Sequence, residues 1–389
     1  MIAGSGGASL GREILIRDLT LMEADLAARF FHENWRPDHI LFHNRELLLW
    51  MYHDAPTARI YGDGLTIKAA FDNDLLIGVF AYIPFVFNRY GQKQTGVYLS
   101  AWWVKPDYRR GSTGIRLLQA LQYSMGFSVC VSGMNTTVAE KLYERMGWRV
   151  VRNIPRWILP LKPDAMLEMF PVGSDQTLGA IRLWLEECVD PQRKLDRGSV
   201  RVQELCSLRE LERYGWDDAF WRIIAPTHMG PARETATLVW RYEDIPIFEY
   251  SALAAFRDSD IRGLLVYRLE QVKNRTEKVA RIVDLTAEPS ATPALLDAFF
   301  ALIGNQGVAM ADFFSTDSRC TAALEDCGFR NALSPDGLTY CYPHLFQPVD
   351  VNRLNLNTAW WIRDVDGRSA PVCDDLVLTK GDHEFDRPN

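Results

Sequence analysis

Apolar and polar residues alternate over residues 68–87, where Asn73 and Asp74 separate two strand-like runs. Alternation of this kind is typical of strands with one buried face, so the segment predicts a β-hairpin. The next run, residues 97–104 (VYLSAWWV), is almost wholly apolar and ends before Pro106. It predicts a strand that is covered on both faces.

A glycine-containing turn and a helix follow this strand. The turn spans residues 108–114 (YRRGSTG), and apolar residues then recur at helical spacing over residues 115–125. Another strand is predicted at 128–132 (SVCVS). A second helix is predicted at 138–146, and Gly147 suits the left-handed conformation that ends a helix.

The second half of the sequence repeats motifs of the first half in the same order. The matched segments are 49–56 with 239–246, 69–71 with 254–256, 105–106 with 288–289, and 146–148 with 327–329. The offsets of 190, 185, 183 and 181 residues drift slowly, as insertions in loops would make them. Four ordered matches therefore indicate a duplicated unit.

Length and composition are those of a multidomain globular protein. The chain has 389 residues, of which 48% are hydrophobic, 24% charged and 12% aromatic. At roughly 100–200 residues per domain, this length predicts two or three domains. The 43 Lys and Arg residues against 50 Asp and Glu residues give a net charge of −7, which argues against a nucleic-acid partner.

Several features predict a cytoplasmic protein without a membrane span. No apolar stretch reaches the ~18–20 residues of a spanning helix, and residues 1–11 are a Gly-rich tail without the layout of a secretory signal. The seven cysteines show no C-x-x-C spacing, so no disulfide scaffold or zinc ribbon is predicted. His39 and His43 have no nearby third ligand, and we therefore predict no metal site.

The turn after the apolar strand has the features of an anion site. Backbone N–H groups at a helix N-terminus have no helical partner, and the helix dipole adds partial positive charge. Gly111 and Gly114 let the backbone approach a ligand such as a pyrophosphate closely. On the second helix, Ala139 and Tyr143 share a face, which directs a phenol back toward the strands.

Two segments carry a resemblance to a known family. Residues 104–118 (VKPDYRRGSTGIRLL) and 135–148 (NTTVAEKLYERMGW) together resemble the GCN5-related N-acetyltransferase (GNAT) superfamily. The resemblance covers about residues 14–158 well and the second half in outline. It implies an α/β fold of tandem GNAT-like domains, each a mixed, mostly antiparallel sheet flanked by helices.

The resemblance implies an acyl-CoA-dependent N-acyltransferase, with acetyl-CoA or another acyl-CoA as co-substrate and no metal. The residues expected to bind CoA are Trp103, Val104, Arg109, Arg110, Gly111, Ser112, Thr113, Gly114 and Asn135. Tyr143 is expected to protonate the departing CoA thiolate while an acceptor amine attacks the thioester directly, because a leaving thiolate needs a proton as it forms.

Departures from the family pattern are small in the first half and large in the second. Ser112 stands where the family's first glycine belongs, and Thr136 stands at the usual place of the family's Asn, one residue after Asn135. In the second half the turn is 289–293 (PSATP), which has no glycine and two prolines without N–H groups. Leu324 stands at the tyrosine position and cannot donate a proton. We therefore expect a degenerate domain without CoA chemistry.

The expected organisation has five parts. They are a flexible tail (1–11), a GNAT acyl-CoA-binding domain (12–159), a linker (160–176), a degenerate GNAT-like domain (177–350) and a C-terminal extension (351–389). The linker is predicted from its prolines and a glycine, which indicate few long-range constraints.

The acceptor is expected to bind near residues 30–56, since in the family the first helices form one wall of the acceptor cleft. Candidates for the base that takes the amine proton are His32, Glu33, Asp38 and His39. Residues 34–39 (NWRPDH) and the C-terminal residues 355–388 resemble tandem GNAT-like proteins found with bacterial surface-polysaccharide genes. This resemblance indicates a small-molecule amine, in particular a nucleotide-linked amino sugar, because aromatic faces suit sugar rings and acidic groups suit an ammonium.

Two alternative functions stay open at this point. One is the aminoacyl-transfer branch of tandem GNAT-like folds, which uses aminoacyl-tRNA and against which the net charge of −7 argues. The other is a non-catalytic binding or scaffold module in which both copies are degenerate.

Overall fold

The computed structural model describes residues 14–35, 37, 39–134, 137–152, 154–168, 179, 182, 199–272, 275–304, 306–331, 357–363 and 376–382. Within these ranges the strands are β1 (Ile14–Asp18), β2 (Ile67–Asp72), β3 (Leu75–Arg89), β4 (Gln92–Val104), β5 (Val129–Met134), β6 (Arg149–Val151), β7 (Arg156–Pro160), β8 (Val200–Leu205), β9 (Met229–Pro231), β10 (Ser251–Arg257), β11 (Asp260–Gln271), β12 (Lys278–Ala287), β13 (Val308–Phe314), β14 (Arg330–Asn331) and β15 (Asn357–Ile362).

The same ranges contain α-helices and shorter helical turns. The α-helices are α1 (Ala24–Asn34), α2 (Ile40–His43), α3 (Arg45–Tyr52), α4 (Thr113–Met125), α5 (Thr137–Arg145), α6 (Pro163–Leu167), α7 (Glu210–Arg213), α8 (Trp216–Ala219), α9 (Thr235–Tyr242), α10 (Thr292–Ile303) and α11 (Thr321–Asp326). A π-helix spans Phe220–Ile224, and 3-10 turns span Leu21–Glu23, Ala58–Tyr61, Pro106–Tyr108, Ala225–Thr227, Pro289–Ala291 and Ser318–Cys320.

The elements predicted in the first half are confirmed. β2 and β3 form the hairpin, and Asn73 adopts a φ of 53° at its turn, which asparagine tolerates better than most residues. β4, α4, β5 and α5 follow in the predicted order. Gly147 ends the last helix with a φ of 77°, the left-handed conformation that its position predicted.

The strands form two sheets of the predicted type. The order in the first is β1-β2-β3-β4-β5-β15-β6, with β9 against β3, and the order in the second is β8-β10-β11-β12-β13-β7-β14. The pairs β4–β5 and β12–β13 are parallel, and the other described pairs are antiparallel. Both sheets are thus mixed and mostly antiparallel.

The halves of the chain exchange strands at the same place in each sheet, apart from the short β9 of the second half, which pairs with β3. β7 follows β6 along the chain but lies beside β13 in the second sheet, where Trp157 is opposite Phe313. β15, near the end of the chain, lies between β5 and β6 in the first sheet, where Ala359 is opposite Ser132. The two exchanged strands occupy equivalent places, so the exchange is reciprocal.

Residues 160–176 were expected to have few long-range constraints. The exchange of β7 places the first of them in the second sheet. Pro160 is the last residue of β7 and is paired with Met310 in the second sheet. Helix α6 follows directly, and its Met166 is buried. The described part of this segment, up to residue 168, is therefore packed against the second half of the chain, while 169–176 lie largely outside the described residues.

Two tryptophans join the halves by reciprocal contacts. The indole Nε1 of Trp50 donates to the carbonyl of Trp240 at 2.7 Å, and the Nε1 of Trp240 donates to the carbonyl of Trp50 at 2.9 Å. Their rings stack with centroids 4.9 Å apart. These residues occupy matched positions in α3 and α9, so the duplicated motif of the sequence meets itself across an approximate twofold axis.

The two faces of the first sheet pack against different helices. Tyr98 and Ala101 of β4 belong to the apolar cluster that includes α1 and α3, whereas Leu99 belongs to the cluster that includes α4 and Tyr143 of α5. Side chains of a strand alternate between faces, and a bulge in β4 at Ser100 and Ala101 shifts the alternation, so that Ala101 lies on the face of Tyr98 rather than that of Leu99. We call these the α3 face and the α5 face of the first sheet.

Removing residues 351–389 is expected to destabilise the whole protein. The truncation removes β15, and with it the burial of Ala359, Trp360 and Ile362 between β5 and β6. Burial of the two larger side chains, Trp360 and Ile362, contributes about 2 kcal/mol each, which for a chain of 389 residues corresponds to a loss of roughly 5 °C in Tm. Circular dichroism during heating measures the shift.

A chain that ends after Asp382 is the matched control, because it keeps every described strand. Its Tm should equal that of the full chain. A chain ending at residue 350 that melted at the full-length temperature would show that the first sheet does not depend on β15.

Candidate functional site

The first sheet opens between two parallel strands. The ladder of β4 and β5 runs from the pair Gly96 and Val129 to the pair Leu99 and Ser132, where it ends. β4 continues for five further residues, to Val104, without pairing with β5. A gap therefore opens between the ends of the two strands.

A β-bulge lies at the point where this gap begins. In the pairing of β3 with β4, Tyr82 is opposite Leu99 and Phe80 is opposite Trp102, so that two residues of β4 face one residue of β3. Those two residues are Ser100 and Ala101. A bulge interrupts the ladder and leaves backbone groups available to a ligand.

The N-terminus of α4 lies beside the outer part of the gap. Arg116 donates the first intrahelical hydrogen bond, to the carbonyl of Ser112 at 2.8 Å, and the Ser112 side chain does not cap the helix. The backbone N–H groups of residues 112–115 thus precede the first helical bond. A Cβ built on Gly114 would lie 3.4 Å from the indole of Trp102, which is ordinary contact, so close packing alone does not require glycine here.

Arg109 holds the outer end of β4. Its Nε donates to the carbonyl of Val104 at 2.8 Å, and its guanidinium lies 4.4 Å from the centre of the Trp103 ring. The Trp103 Nε1 is buried without a hydrogen-bond partner among the described residues. Three of the predicted CoA residues therefore form one contact group, while Asn135 lies outside the described residues.

Tyr143 lies at the inner end of the gap. Its hydroxyl donates to Ser132 Oγ at 3.0 Å, at the last pair of the β4–β5 ladder. Its ring stacks on Trp148 with centroids 4.4 Å apart and lies 6.4 Å from the Trp102 ring. The side chain is 3% exposed, and this burial raises the pKa of the phenol, because low polarity disfavours the phenolate. The phenol therefore keeps its proton at neutral pH.

The equivalent gap in the second sheet is occupied by the chain itself. The β12–β13 ladder ends at the pair Ile282 and Phe313, and β12 continues to Ala287. In this gap Gly381 donates its N–H to the carbonyl of Val283 at 2.8 Å. Its neighbour Lys380 donates to the carbonyl of Phe314 at 3.2 Å. We call residues 376–382 the C-terminal plug.

Other features of the second half also differ from those of the first. Leu324, at the tyrosine position, is fully buried in an apolar cluster. The turn before α10 is flanked by the carboxylate of Glu288, which lies 3.4 Å from Arg257. The turn itself, residues 289–293, has no glycine, and its two prolines have no N–H group to offer a phosphate.

The plug ends in a buried ionic network between the halves. Asp382 accepts hydrogen bonds from the Tyr98 hydroxyl at 2.8 Å and from Arg233 at 2.7 Å, and Arg233 lies 2.6 Å from Asp284. A cavity of about 30 Å³ adjoins these groups, which is room for about one water molecule. The Asp382 carboxylate is thus already engaged, and the rest of the predicted acidic tail, residues 383–389, lies outside the described residues.

The candidate bases do not meet Tyr143. His39 is 3% exposed, and its Nδ1 accepts from the backbone N–H of Leu41 at 3.2 Å, which caps α2. His32 stacks on Phe42 with centroids 4.3 Å apart, and Glu33 is an exposed residue of α1. They lie on the helices of the α3 face, whereas Tyr143 packs on the α5 face. Asp38 lies outside the described residues.

The sequence analysis missed a second tyrosine–serine pair at the gap. The Tyr52 hydroxyl and Ser100 Oγ lie 2.7 Å apart in a hydrogen bond in which either atom can donate. Tyr52 is the last residue of α3 and is fully buried. The sequence repeat pointed to Tyr52 alone, because it matches Tyr52 with Tyr242. In the structure Tyr242 ends α9 and donates to Asp284 at 3.0 Å.

Two kinds of feature are absent from the described residues. No helix there is long and apolar enough to cross a membrane. No group of three or more His, Cys, Asp or Glu side chains there is arranged to hold a metal ion.

Comparison with known proteins identifies the fold. No protein-family model and no curated protein matches the sequence. Among solved structures, the chain is similar to a GCN5-related N-acetyltransferase from Anabaena variabilis ATCC 29413, with a TM-score of 0.55, 12% identity and coverage of 91% of this chain and 74% of that chain. It is also similar to a GCN5-related N-acetyltransferase from Kribbella flavida, with a TM-score of 0.53, 13% identity and coverage of 90% and 71%.

The chain therefore has the GNAT fold. Its two sheets, each with one parallel pair at the same place in the strand order, form tandem GNAT-like units. This confirms the fold class that the sequence predicted.

Proposed function

We propose that the protein is an acyl-CoA-dependent N-acyltransferase whose CoA site lies in the first half. The observation that carries the proposal is the arrangement around Trp102. Its indole lies beside Gly114 at the uncapped start of α4, and its ring lies 6.4 Å from that of the buried Tyr143. An anion site and a proton donor thus flank one gap in the sheet.

The outer part of this gap suits the charged part of CoA. Backbone N–H groups from Arg110 to Gly114 would hold the pyrophosphate, since they lie at or before the first turn of α4. The pantetheine arm would pair with β4 before Val104, whose carbonyl is already bound by Arg109. Trp103 would border the entrance through its contact with Arg109.

The inner part of the gap suits acyl transfer. The nitrogen of the acceptor amine forms a bond to the thioester carbonyl carbon, and the bond from that carbon to sulfur breaks. The Tyr143 hydroxyl gives its proton to the departing sulfur and regains one from water. The proton lost by the amine passes to water or to a base, for which His32, Glu33 and His39 are the candidates from the sequence.

The acceptor that we propose is a small-molecule amine, in particular a nucleotide-linked amino sugar, and the acyl donor is acetyl-CoA in the first instance. Support comes from the N-terminal segment, where Trp35 packs 4.9 Å from the buried His39 on the α3 face and keeps part of its surface exposed. Aromatic faces of this kind suit sugar rings. We propose a cytoplasmic enzyme, with neither nucleic acid nor a membrane span involved in the reaction.

Isothermal calorimetry with acetyl-CoA is the first test, and we expect one binding site per chain. A single site is expected because the C-terminal plug fills the equivalent gap of the second sheet, where Gly381 is bonded to Val283. Release of CoA thiol is then measured with nucleotide-linked amino sugars, polyamines and amino acids as acceptors. Absence of acetyl-CoA binding would favour a non-catalytic module, and two equal sites would contradict the role given to the plug.

A further inference from the structure

Two hydrogen-bonded tyrosine–serine pairs flank the point where β4 and β5 separate. Ser132 is the β5 member of the last ladder pair, and Ser100 directly follows Leu99, the β4 member. Each serine is bonded to a buried tyrosine, Tyr143 at 3.0 Å for Ser132 and Tyr52 at 2.7 Å for Ser100. The two hydroxyl pairs thus lie at the level of the sheet where the β4–β5 ladder ends.

The two pairs lie on opposite faces of the sheet. Tyr143 belongs to the apolar cluster of the α5 face, and Tyr52 belongs to that of the α3 face. In acyl transfer the nucleophile and the leaving group occupy different positions around the carbonyl carbon. If Tyr143 serves the leaving sulfur, the nucleophile has the other face available to it.

Ser100 has the properties needed to hold an amine on that face. It is partly exposed and lies in the bulge, where the strand leaves its ladder. Tyr52 is fully buried and fixed by α3, so the bond between them restricts the rotation of the serine hydroxyl. A serine oxygen bonded to one donor keeps a lone pair that can accept from an amine N–H.

We propose that Ser100, held by Tyr52, is a positioning residue that binds the acceptor amine and aligns its lone pair with the thioester carbonyl. This inference rests on the proposed function. Ser100 accepts a hydrogen bond from the amine, and Tyr52 acts through Ser100. The reaction itself keeps the atoms and protons described above, because the pair orients the nucleophile and takes no proton from it.

Hydroxylamine is a suitable probe, because it is a small amine that converts acetyl-CoA into acetohydroxamate and CoA. Its product forms a coloured iron(III) complex. The full-length protein should accelerate this reaction. Ser100→Ala should lower kcat and raise KM for hydroxylamine, with a combined loss of roughly tenfold to hundredfold in kcat/KM, which is the scale of one or two hydrogen bonds.

Further variants separate positioning from structural damage. Ser100→Thr keeps a hydroxyl and should recover much of the rate, whereas Tyr52→Phe should reproduce part of the loss. In each, the calorimetric Kd for acetyl-CoA should equal the wild-type value. Tyr267 and Ser251 form a matched control, since Tyr267 is also buried and lies opposite a serine in a strand pair, but in the second sheet. Tyr267→Phe and Ser251→Ala should leave the reaction unchanged.

Each outcome decides one of the two proposals. If the wild type accelerates the reaction and Ser100→Ala does so equally well, the role of Ser100 is wrong and the proposed function stands. If acetyl-CoA binds but hydroxylamine is not used faster than without protein, the gap does not position a small amine and the inference is overturned. If acetyl-CoA does not bind, the proposed function fails, and the inference fails with it.

Discussion

Gly114→Asp is expected to abolish acetyl-CoA binding. The new carboxylate would stand among the free N–H groups of the α4 N-terminus, where the pyrophosphate is proposed to bind. Two like charges about 4 Å apart near a protein surface repel by about 4 kcal/mol, which corresponds to about a thousandfold loss of affinity. Calorimetry with acetyl-CoA measures the change in Kd.

Gly114→Ala is the matched control, because it adds bulk without charge. Its Cβ would lie 3.4 Å from the Trp102 indole, so the fold should accommodate it and affinity should fall far less than with aspartate. The aspartate variant should also keep its Tm, since an acidic residue at a helix N-terminus is favourable. Normal acetyl-CoA affinity in Gly114→Asp would mean that the pyrophosphate binds elsewhere.

Tyr143→Phe is expected to lower kcat by about 10²- to 10³-fold, the range typical of the loss of a general acid. The phenyl ring keeps its stacking on Trp148, and the lost hydrogen bond to Ser132 contributes about 1 kcal/mol to stability. Acetyl-CoA affinity should therefore change little. Steady-state release of CoA thiol gives kcat, and calorimetry gives Kd.

Ser132→Ala is the control for Tyr143, since it removes the partner and leaves the phenol. Its kcat should fall much less than that of Tyr143→Phe. Because burial raises the pKa of Tyr143 above its ordinary value of 10, the phenol stays protonated between about pH 6 and pH 9. A fall in rate within that range must come from another group. Unchanged turnover in Tyr143→Phe would remove this residue from the mechanism.

The local elements of the first half could be predicted because their signals are local. Alternation defines the hairpin of β2 and β3, helical spacing defines α4, and Gly147 marks the end of α5. The exchange of β7 and β15 could not be predicted in this way. A short apolar strand fits beside the parallel pair of either sheet, and only long-range packing decides which sheet it joins.

The candidate site was predictable to the extent that a motif carried it. The turn before Gly114 and Tyr143 stand at motif positions, and the structure brings both beside Trp102. Ser100 belongs to no motif that would mark it as a functional residue. It is a single serine in an apolar strand, and its hydrogen bond to Tyr52 joins residues far apart in sequence. The proximity of Ser100 and Tyr52 is evident only in the folded structure, where α3 packs on the sheet.

His39 shows what residue type alone leaves undetermined. Its imidazole has the right chemistry for a base, and this made it a candidate. In the structure its Nδ1 accepts a hydrogen bond from the backbone N–H of Leu41 and caps a helix, and its role as a base stays a prediction. Residue type indicates what a side chain can do, and packing decides which of these abilities is used.

The reciprocal placement of β7 and β15 has a consequence for how the protein is made. Translation delivers residues 14–151 first, but β15, which separates β5 from β6, is made only after residues 152–356. The first sheet therefore has an unpaired strand edge until β15 has been made. For the same reason, neither copy of the ancestral unit can be lost from the gene without leaving the other one strand short.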